Sequence, residues 1–319
     1  MTQDKALEIL KSGKNVFLTG EPGSGKTFTV NMFTDWLRSD RKTFAVTAST
    51  GIAATHIDGV TIHSWAGLGI KDKITKDNVD IMHSDTKDRI AAADVLIIDE
   101  ISMLSANTID MVDFVCKEVR SQPFRPFGGL QVVFVGDFFQ LPPISQDGKA
   151  KFAFQSKAWA EADLKTCYLT EQHRQSDQAF LSLLSGIRSG KVEEHHKDLL
   201  RERRKDEKDS ATKLFTHNVD VDGLNNSELQ KLKKQSHFYR GTVAGNSFLT
   251  ERLLKACLSP VNLELKEGAV VMFTKNKPDS GYVNGTLGTV TGFSPSGLPV
   301  VTTKDGMKIS PQRETWKME

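Results

Sequence analysis

The chain has 319 residues, 38% of them hydrophobic, enough to bury more than one sizeable core and, at roughly 100 to 200 residues per domain, to form two units. Its 42 Lys and Arg nearly balance 40 Asp and Glu, which excludes a global positive field, so any affinity for nucleic acid must come from local placement of charge. Cys116, Cys167 and Cys257 are scattered without a CxxC pair, which argues against a disulfide framework or a zinc site and for a reducing setting. No charged-then-apolar leader opens the chain and no apolar run approaches the ~20 residues a bilayer requires, so a soluble, unsecreted protein with no membrane partner is expected.

In chain order, the first apolar run is Val16 to Leu18, followed at once by Gly20-Glu21-Pro22-Gly23-Ser24-Gly25-Lys26-Thr27. This is G-x-x-x-x-G-K-[ST] in full, placed between a strand and the amphipathic segment Thr29 to Leu37, as a P-loop requires. The glycines let the loop turn its N–H groups inward around phosphates, and the following helix aims its positive end at the same anion. Lys26 is expected to bridge the β- and γ-phosphates of ATP, and the Thr27 hydroxyl to ligate Mg2+.

Phe44 to Val46 reads as the next strand, and Val95 to Ile98 as another that ends in Asp99-Glu100. Continuous apolar runs of this length suit strands covered on both faces, as in a parallel sheet with crossover helices. Ligands of such sheets bind at the carboxyl edge, which makes Asp99 the expected magnesium holder and Glu100 the base that takes a proton from attacking water. A helix over Thr108 to Val119 follows, then Val132 to Val135 leading into Gly136-Asp137-Phe138-Phe139-Gln140-Leu141-Pro142-Pro143. Gln140 at this stiff tip can reach the γ-phosphate and report its loss.

Beyond the prolines, Tyr168-Leu169, Lys213 to Phe215 and Ala269 to Phe273 read as strands, and Ala179 to Ile187 and Val219 to Leu232 as helices, forming a second, less complete α/β unit. The mixed charges from Asp198 to Lys213 read as a solvated face. From Val283 to Ile309, Asn284-Gly285, Ser296-Gly297 and Asp305-Gly306 are turn signals between short strands of a small β-barrel-like appendage.

Together these stretches resemble the Pif-type DNA helicases, superfamily 1 subclass B, which include the RecD-like enzymes. The resemblance covers nearly the whole chain and rests on Gly20 to Thr27, Val46 to Ala54 with Ile62 to Trp65, Asp94 to Leu104 (DVLIIDEISML), Gly136 to Pro143 (GDFFQLPP), Leu169 to Gln175 and Phe215 to Asp220. It implies an α/β P-loop NTPase with RecA-like parallel sheets, residues 1–164 forming the first motor domain with a small wedge insertion at about 67–89. Residues 165–282 would be part of an incomplete second RecA-like domain, and 283–319 a β-rich, SH3-like insertion. It implies ATP and Mg2+ as cofactors, Gln3 as the residue that recognises adenine, and Arg174 as an arginine finger whose always-charged fork suits a transferring phosphate. Without the resemblance, Gln3 reads as an ordinary capping or surface residue.

The family further implies ATP-driven 5′-to-3′ translocation on single-stranded DNA and unwinding of forked duplex DNA, in repair, recombination or telomere maintenance. A monomer is expected, acting in a bacterial cytoplasm at the nucleoid or in a nucleus or mitochondrion. A groove that tracks a single strand wants hydroxyls and amides for phosphates and rings for bases; Thr50, Gly51, His63, Ser64 and Trp65 supply these types, and Asn218 matches a further DNA-contacting position. Trp65 and Phe139 fit core packing equally well. The HKSQG-like run and later arginine of the family are not met before Glu319, so a truncated chain with weak DNA-coupled turnover is expected.

Two other readings compete. Asn276-Lys277-Pro278-Asp279 spells a guanine-reading N-K-x-D, yet it lies far from the P-loop's own sheet, where guanine recognition has to occur. A non-motor module that holds DNA or protein under ATP control is the alternative, distinguished by whether single-stranded DNA stimulates hydrolysis.

Overall fold

The structure, a computed structural model, describes residues 1–316 apart from 58, 70, 145–150, 172–176, 205–212, 216–217, 246, 248–249, 251–252, 255–256, 258 and 276. The chain divides into two compact units, Met1–Lys205 and Asp206–Glu319.

The first unit runs α1 (Gln3–Lys11), β1 (Val16–Gly20), α2 (Lys26–Ser39), β2 (Phe44–Ala48), α3 (Gly51–His56), β3 (Val60–Thr61), α4 (Ile62–Trp65), α5 (Lys76–Asp80), α6 (Ser84–Ala92), β4 (Val95–Asp99), α7 (Ala106–Val119), β5 (Gln131–Val135), α8 (Lys157–Glu161), β6 (Lys165–Leu169), α9 (Gln178–Ser189) and α10 (Glu194–Arg203). Its six strands lie in the order β3-β2-β4-β5-β1-β6, and every pairing is parallel. This is the α/β P-loop architecture with a RecA-like parallel sheet.

The alternation of side chains along a strand explains why these runs are apolar throughout. On β4, Val95 and Ile97 enter a core built with Leu10 of α1 and Phe33 and Leu37 of α2. Leu96 and Ile98 enter the opposite core with Ile109, Val112 and Val115 of α7. Both faces are covered, so no position on the strand is free to be polar until Asp99 at its end. In the second core Phe134 stacks on Trp159 with ring centroids 4.9 Å apart. The start of α7 is fixed by Ser105, whose hydroxyl accepts from the Thr108 N–H at 3.1 Å, satisfying one of the helix's orphan donors.

The sheet changes one expected boundary. Tyr168 and Leu169 belong to β6, which pairs with β1 from Val16↔Lys165 to Gly20↔Leu169; α9 and α10 fall in the same unit. The division therefore comes after Lys205 rather than after residue 164, because β6 is used up as a neighbour of the P-loop strand.

The second unit holds α11 (Asn218–Lys231), an antiparallel pair of β7 (His237–Arg240) and β8 (Asn262–Leu265), and a four-stranded antiparallel sheet of β9 (Val270–Met272), β10 (Leu287–Phe293), β11 (Pro299–Thr303) and β12 (Lys308–Ile309). Ala269 to Phe273, expected to belong to the second motor domain, instead starts the small β-sheet, since Val270 to Met272 pair with Leu287 to Thr289. Ser296-Gly297 and Asp305-Gly306 fall at the turns between its later strands. Lys213 to Phe215 form no strand, and Leu214 is 95% exposed. Among the described residues, this unit pairs its strands only antiparallel.

Candidate nucleotide-binding and hydrolysis site

The first unit brings the carboxyl ends of β1, β4 and β5 side by side, and each delivers one sequence-predicted group. After β1 the chain turns through Gly20, Gly23 and Gly25 with φ of 152°, 86° and 83° and enters α2 at Lys26. A side chain at Gly20 is impossible without movement, because its Cβ would lie 2.7 Å from both the Leu169 carbonyl oxygen and Ser24 Oγ. Lys26 Nζ donates to the Gly20 carbonyl at 2.8 Å and the Glu21 carbonyl at 3.1 Å. Burial lowers its pKa, while Asp137, Glu100 and Asp99, in that order, act to hold the proton. One lysine thus feels all three acids, which places them around the P-loop.

Asp99 ends β4. Burial pushes its carboxyl up to about 6; the Glu100 charge adds to this, while the Glu100 N–H, donating to Oδ1 at 2.8 Å, and Lys26 oppose it. A buried acid in this condition lacks a full complement of positive charge, and a divalent cation would provide it. Glu100 has φ 52°, a left-handed conformation that non-glycine residues rarely adopt and that marks the turn carrying it away from the strand. Thr27, in the first turn of α2, is exposed.

One observation tests whether this cradle fits a nucleotide. Ser24 Oγ is buried within the loop with no hydrogen-bond partner, a polar atom a phosphate oxygen would satisfy. The residues fit the group: Thr27 and Asp99 would hold Mg2+, which would neutralise charge on the phosphates.

Gln3 stands beside the loop, its Nε2 donating to the Ser24 carbonyl at 3.4 Å and its backbone N–H to Glu171 Oε2 at 3.4 Å. Gln140 is exposed and folds back on Asp137, its Nε2 donating to Oδ2 at 3.3 Å. A cavity of about 540 Å³ lies at the opposite, amino end of the sheet, lined by Lys11, Trp36, Asp94 and Arg125 among others. The carboxyl ends of α1 and α2 border it, and their negative dipole ends disfavour a phosphate there.

Two charged residues of the site were not singled out by the sequence reading. Asp137 is 1% exposed, and Arg188 of α9 meets it fork to fork, with Nη1 to Oδ2 at 2.5 Å and Nη2 to Oδ1 at 2.9 Å. The Asp following Gly136 at a strand end was a visible signal; Arg188 carried none, because only the packing of α9 brings it to the loop. Arg174 and Asn276 lie outside the described residues, as does the side chain of Asn218. Lys277, of the guanine-motif pattern, is in the second unit and pairs with Glu314.

The expected DNA-facing set divides. Thr50 accepts from the Ala53 N–H at 3.2 Å, and Gly51 opens α3 with free space where a Cβ would be. On α4, Ile62 and Trp65 are 0% and 4% exposed because residues three apart share a helical face, leaving Ser64 outward. Of the two readings open for Trp65, its burial favours core packing. His63 is half-buried, and burial lowers its pKa. Phe139, by contrast, is 74% exposed.

A model of the PIF1-like helicase family matches residues 3–198, and one of the DNA helicase Pif1 2B domain matches residues 248–293. The ATP-dependent DNA helicase Pif1 of Psychrobacter sp. (strain PRwf-1) is 46% identical over 96% of this chain and 49% of its own length. That of Saccharomyces cerevisiae (strain YJM789) is 40% identical over 91% of this chain and 35% of its own length. The chain thus spans half or less of the length of these two relatives; for Pif1 of Bdellovibrio bacteriovorus, 35% identical, the match covers 93% of this chain and 68% of that protein. The crystal structure of Pif1 helicase from Candida albicans superimposes with a TM-score of 0.83 at 32% identity, over 94% of this chain and 74% of that one. Bacteroides Pif1 bound to single-stranded DNA superimposes with a TM-score of 0.75 at 29% identity, over 98% and 74%. The chain belongs to the PIF1-like helicase family.

Proposed function

We propose that this chain is the ATP-hydrolysing part of a DNA helicase that moves 5′ to 3′ along single-stranded DNA and unwinds forked duplexes in genome maintenance. The observation that carries the reading is the placement of Asp99, Glu100 and Asp137 around one P-loop lysine. Relatives named as ATP-dependent DNA helicases, and Bacteroides Pif1 structures with ADP-AlF3 and single-stranded DNA and at forked duplex DNA, support the choice of substrate.

In this reading the P-loop amides of Gly20 to Gly25 and Lys26 bind the phosphates, and Lys26 leaves its two loop carbonyls to do so. Glu100 takes the proton of the attacking water, Gln140 reaches the γ-phosphate, Gln3 contacts the adenine edge, and Arg174 supplies a cation to the transferring phosphate. Thr50, Gly51, His63, Ser64 and Asn218 contact the strand, and Phe139, now seen at the surface, offers a ring for base stacking. In place of limits at 164 and 282, the proposed functional division is a first motor domain that takes in β6, α9 and α10, part of a second motor domain after Lys205, and a β-rich insertion that opens with β9.

The test is steady-state ATPase activity of the chain with and without an oligothymidylate, alongside strand displacement on forks of both polarities. Stimulation by the single strand with displacement only on 5′-tailed forks supports the motor. Nucleotide binding without stimulation indicates an ATP-controlled binding module instead.

A further inference from the structure

The Asp137 carboxylate is a junction. Besides the two contacts from Arg188, it accepts from the Phe139 N–H at 3.1 Å and from Gln140 Nε2 at 3.3 Å. The same guanidinium lies over the Phe139 ring, 4.4 Å from its centroid, and feels the charge of Glu21 in the P-loop. The pair is almost wholly removed from water, with side-chain exposures of 16% and 1%. Burying an ion pair is a poor route to stability, since an apolar pair of similar volume serves as well. What a bidentate pair does supply is a fixed direction.

The distances show what is being fixed. Arg188 Nη1 and Gln140 Nε2 share one oxygen, Oδ2, at 2.5 and 3.3 Å. With the arginine taking the close position, the glutamine amide is held in a long contact that it can exchange for a phosphate oxygen. Were the guanidinium absent, the charged oxygen would draw the amide in and keep it.

We propose that Arg188 is a positioning residue for ATP hydrolysis: by occupying Asp137 and covering Phe139, it holds the tip after β5 so that Gln140 is free to meet the terminal phosphate. The proposal rests on the hydrolytic reading above. Arg188 itself does not touch the nucleotide; it acts through Asp137 and Gln140.

The experiment compares wild type, Arg188→Met, Arg188→Lys, Gln140→Ala and Arg188→Met/Gln140→Ala, reading single-strand-stimulated kcat and, separately, the affinity for a fluorescent ATP analogue. Arg188→Met is expected to lower kcat about tenfold or more while nucleotide affinity changes less than about threefold, the pattern of an interaction made chiefly in the transition state. Arg188→Lys keeps the charge, and so the fold, but loses the fork and the stack; it is expected to fall between wild type and Arg188→Met. On the Gln140→Ala background, Arg188→Met should cost nothing further, since two residues acting as a unit are not additive. An additional tenfold loss in that double variant overturns the proposal, as does wild-type kcat in Arg188→Lys. A wild-type protein that fails to bind the analogue refutes the underlying nucleotide reading instead, and is recognised before any variant is compared.

Discussion

Lys26 Nζ and the Gly20 carbonyl oxygen are 2.8 Å apart, so the P-loop closes on itself through the lysine proposed to bind phosphate. The contact fixes the direction of the ammonium; burial lowers its pKa, and Asp137, Glu100 and Asp99 oppose that shift. Lys26→Ala removes a charge-assisted contact worth about 1.5 to 3 kcal/mol, so nucleotide affinity is expected to fall roughly ten- to a hundredfold. A fluorescent-nucleotide titration measures it; unchanged affinity removes Lys26 from the phosphate site.

Glu100→Gln preserves shape and the turn after β4 while removing the base. General-base catalysis contributes about 10² to 10⁴ in rate, so kcat is expected to drop by that order with nucleotide affinity nearly intact. Single-turnover hydrolysis separates the two. Equal losses in binding and turnover assign Glu100 to holding the ligand.

Gly20→Ala places a methyl group against backbone, the Leu169 carbonyl of β6, as well as Ser24 Oγ, at φ 152°. The Ser24 hydroxyl can rotate aside, but the Leu169 carbonyl is backbone, so the β1–β6 pairing must yield. A loss of about 1 to 3 kcal/mol is expected, in the range of strained backbone sites, together with weakened nucleotide binding. Urea unfolding checks the first and titration the second; an unchanged midpoint contradicts the close approach.

Trp65 and Phe139 are expected to respond in opposite ways. Trp65→Ala empties a core site and should destabilise by about 3 to 5 kcal/mol. Phe139→Ala forfeits little beyond its contact with Arg188, about 1 kcal/mol, yet should weaken single-strand binding. Thermal unfolding paired with fluorescence anisotropy on labelled DNA discriminates; weaker DNA binding by a stably folded Trp65→Ala reverses the assignment.

Acid should expose the Asp137 pair. Burial raises this carboxyl, but the Arg188 guanidinium, the Phe139 N–H and Gln140 together bring it below the ordinary carboxylate value of 3.8. A folded-state pKa below the unfolded one gives stability that is complete above about pH 4 and is lost as pH falls through the unfolded value toward the folded one. Asp137→Asn lacks this term, so the gap in unfolding free energy between wild type and variant is expected to be constant from pH 7 to about 4 and to narrow below. A gap that stays constant at pH 3 shows that the pair is not the source.

Much of the site was legible because its chemistry is local. Gly20 to Thr27 must be contiguous to wrap a phosphate, and Asp99-Glu100 must end an apolar run because β4 is buried on both faces and has no other place for charge. Such constraints act over a few residues and leave a pattern. The strand status of Tyr168-Leu169 was readable for the same reason, but its membership was not: pairing with β1 is a choice between sheets, made by contacts far apart in sequence. Ala269 to Phe273 was misplaced for that reason too, since an apolar pentapeptide carries no mark of the neighbour it will join.

What the sequence alone determined, then, is that the P-loop, Asp99 and Glu100 stand at the ends of buried strands, through spacing that backbone geometry makes obligatory. Only the tertiary structure decided that Trp65 turns inward while Phe139 turns outward, and that Arg188, remote in the chain, comes to share an oxygen of Asp137 with Gln140. The physical reason is that burial and ion pairing are settled by the packing of whole elements: α4 has to put Ile62 and Trp65 on one face, and α9 has to lie against the tip after β5 before any of its residues has a partner.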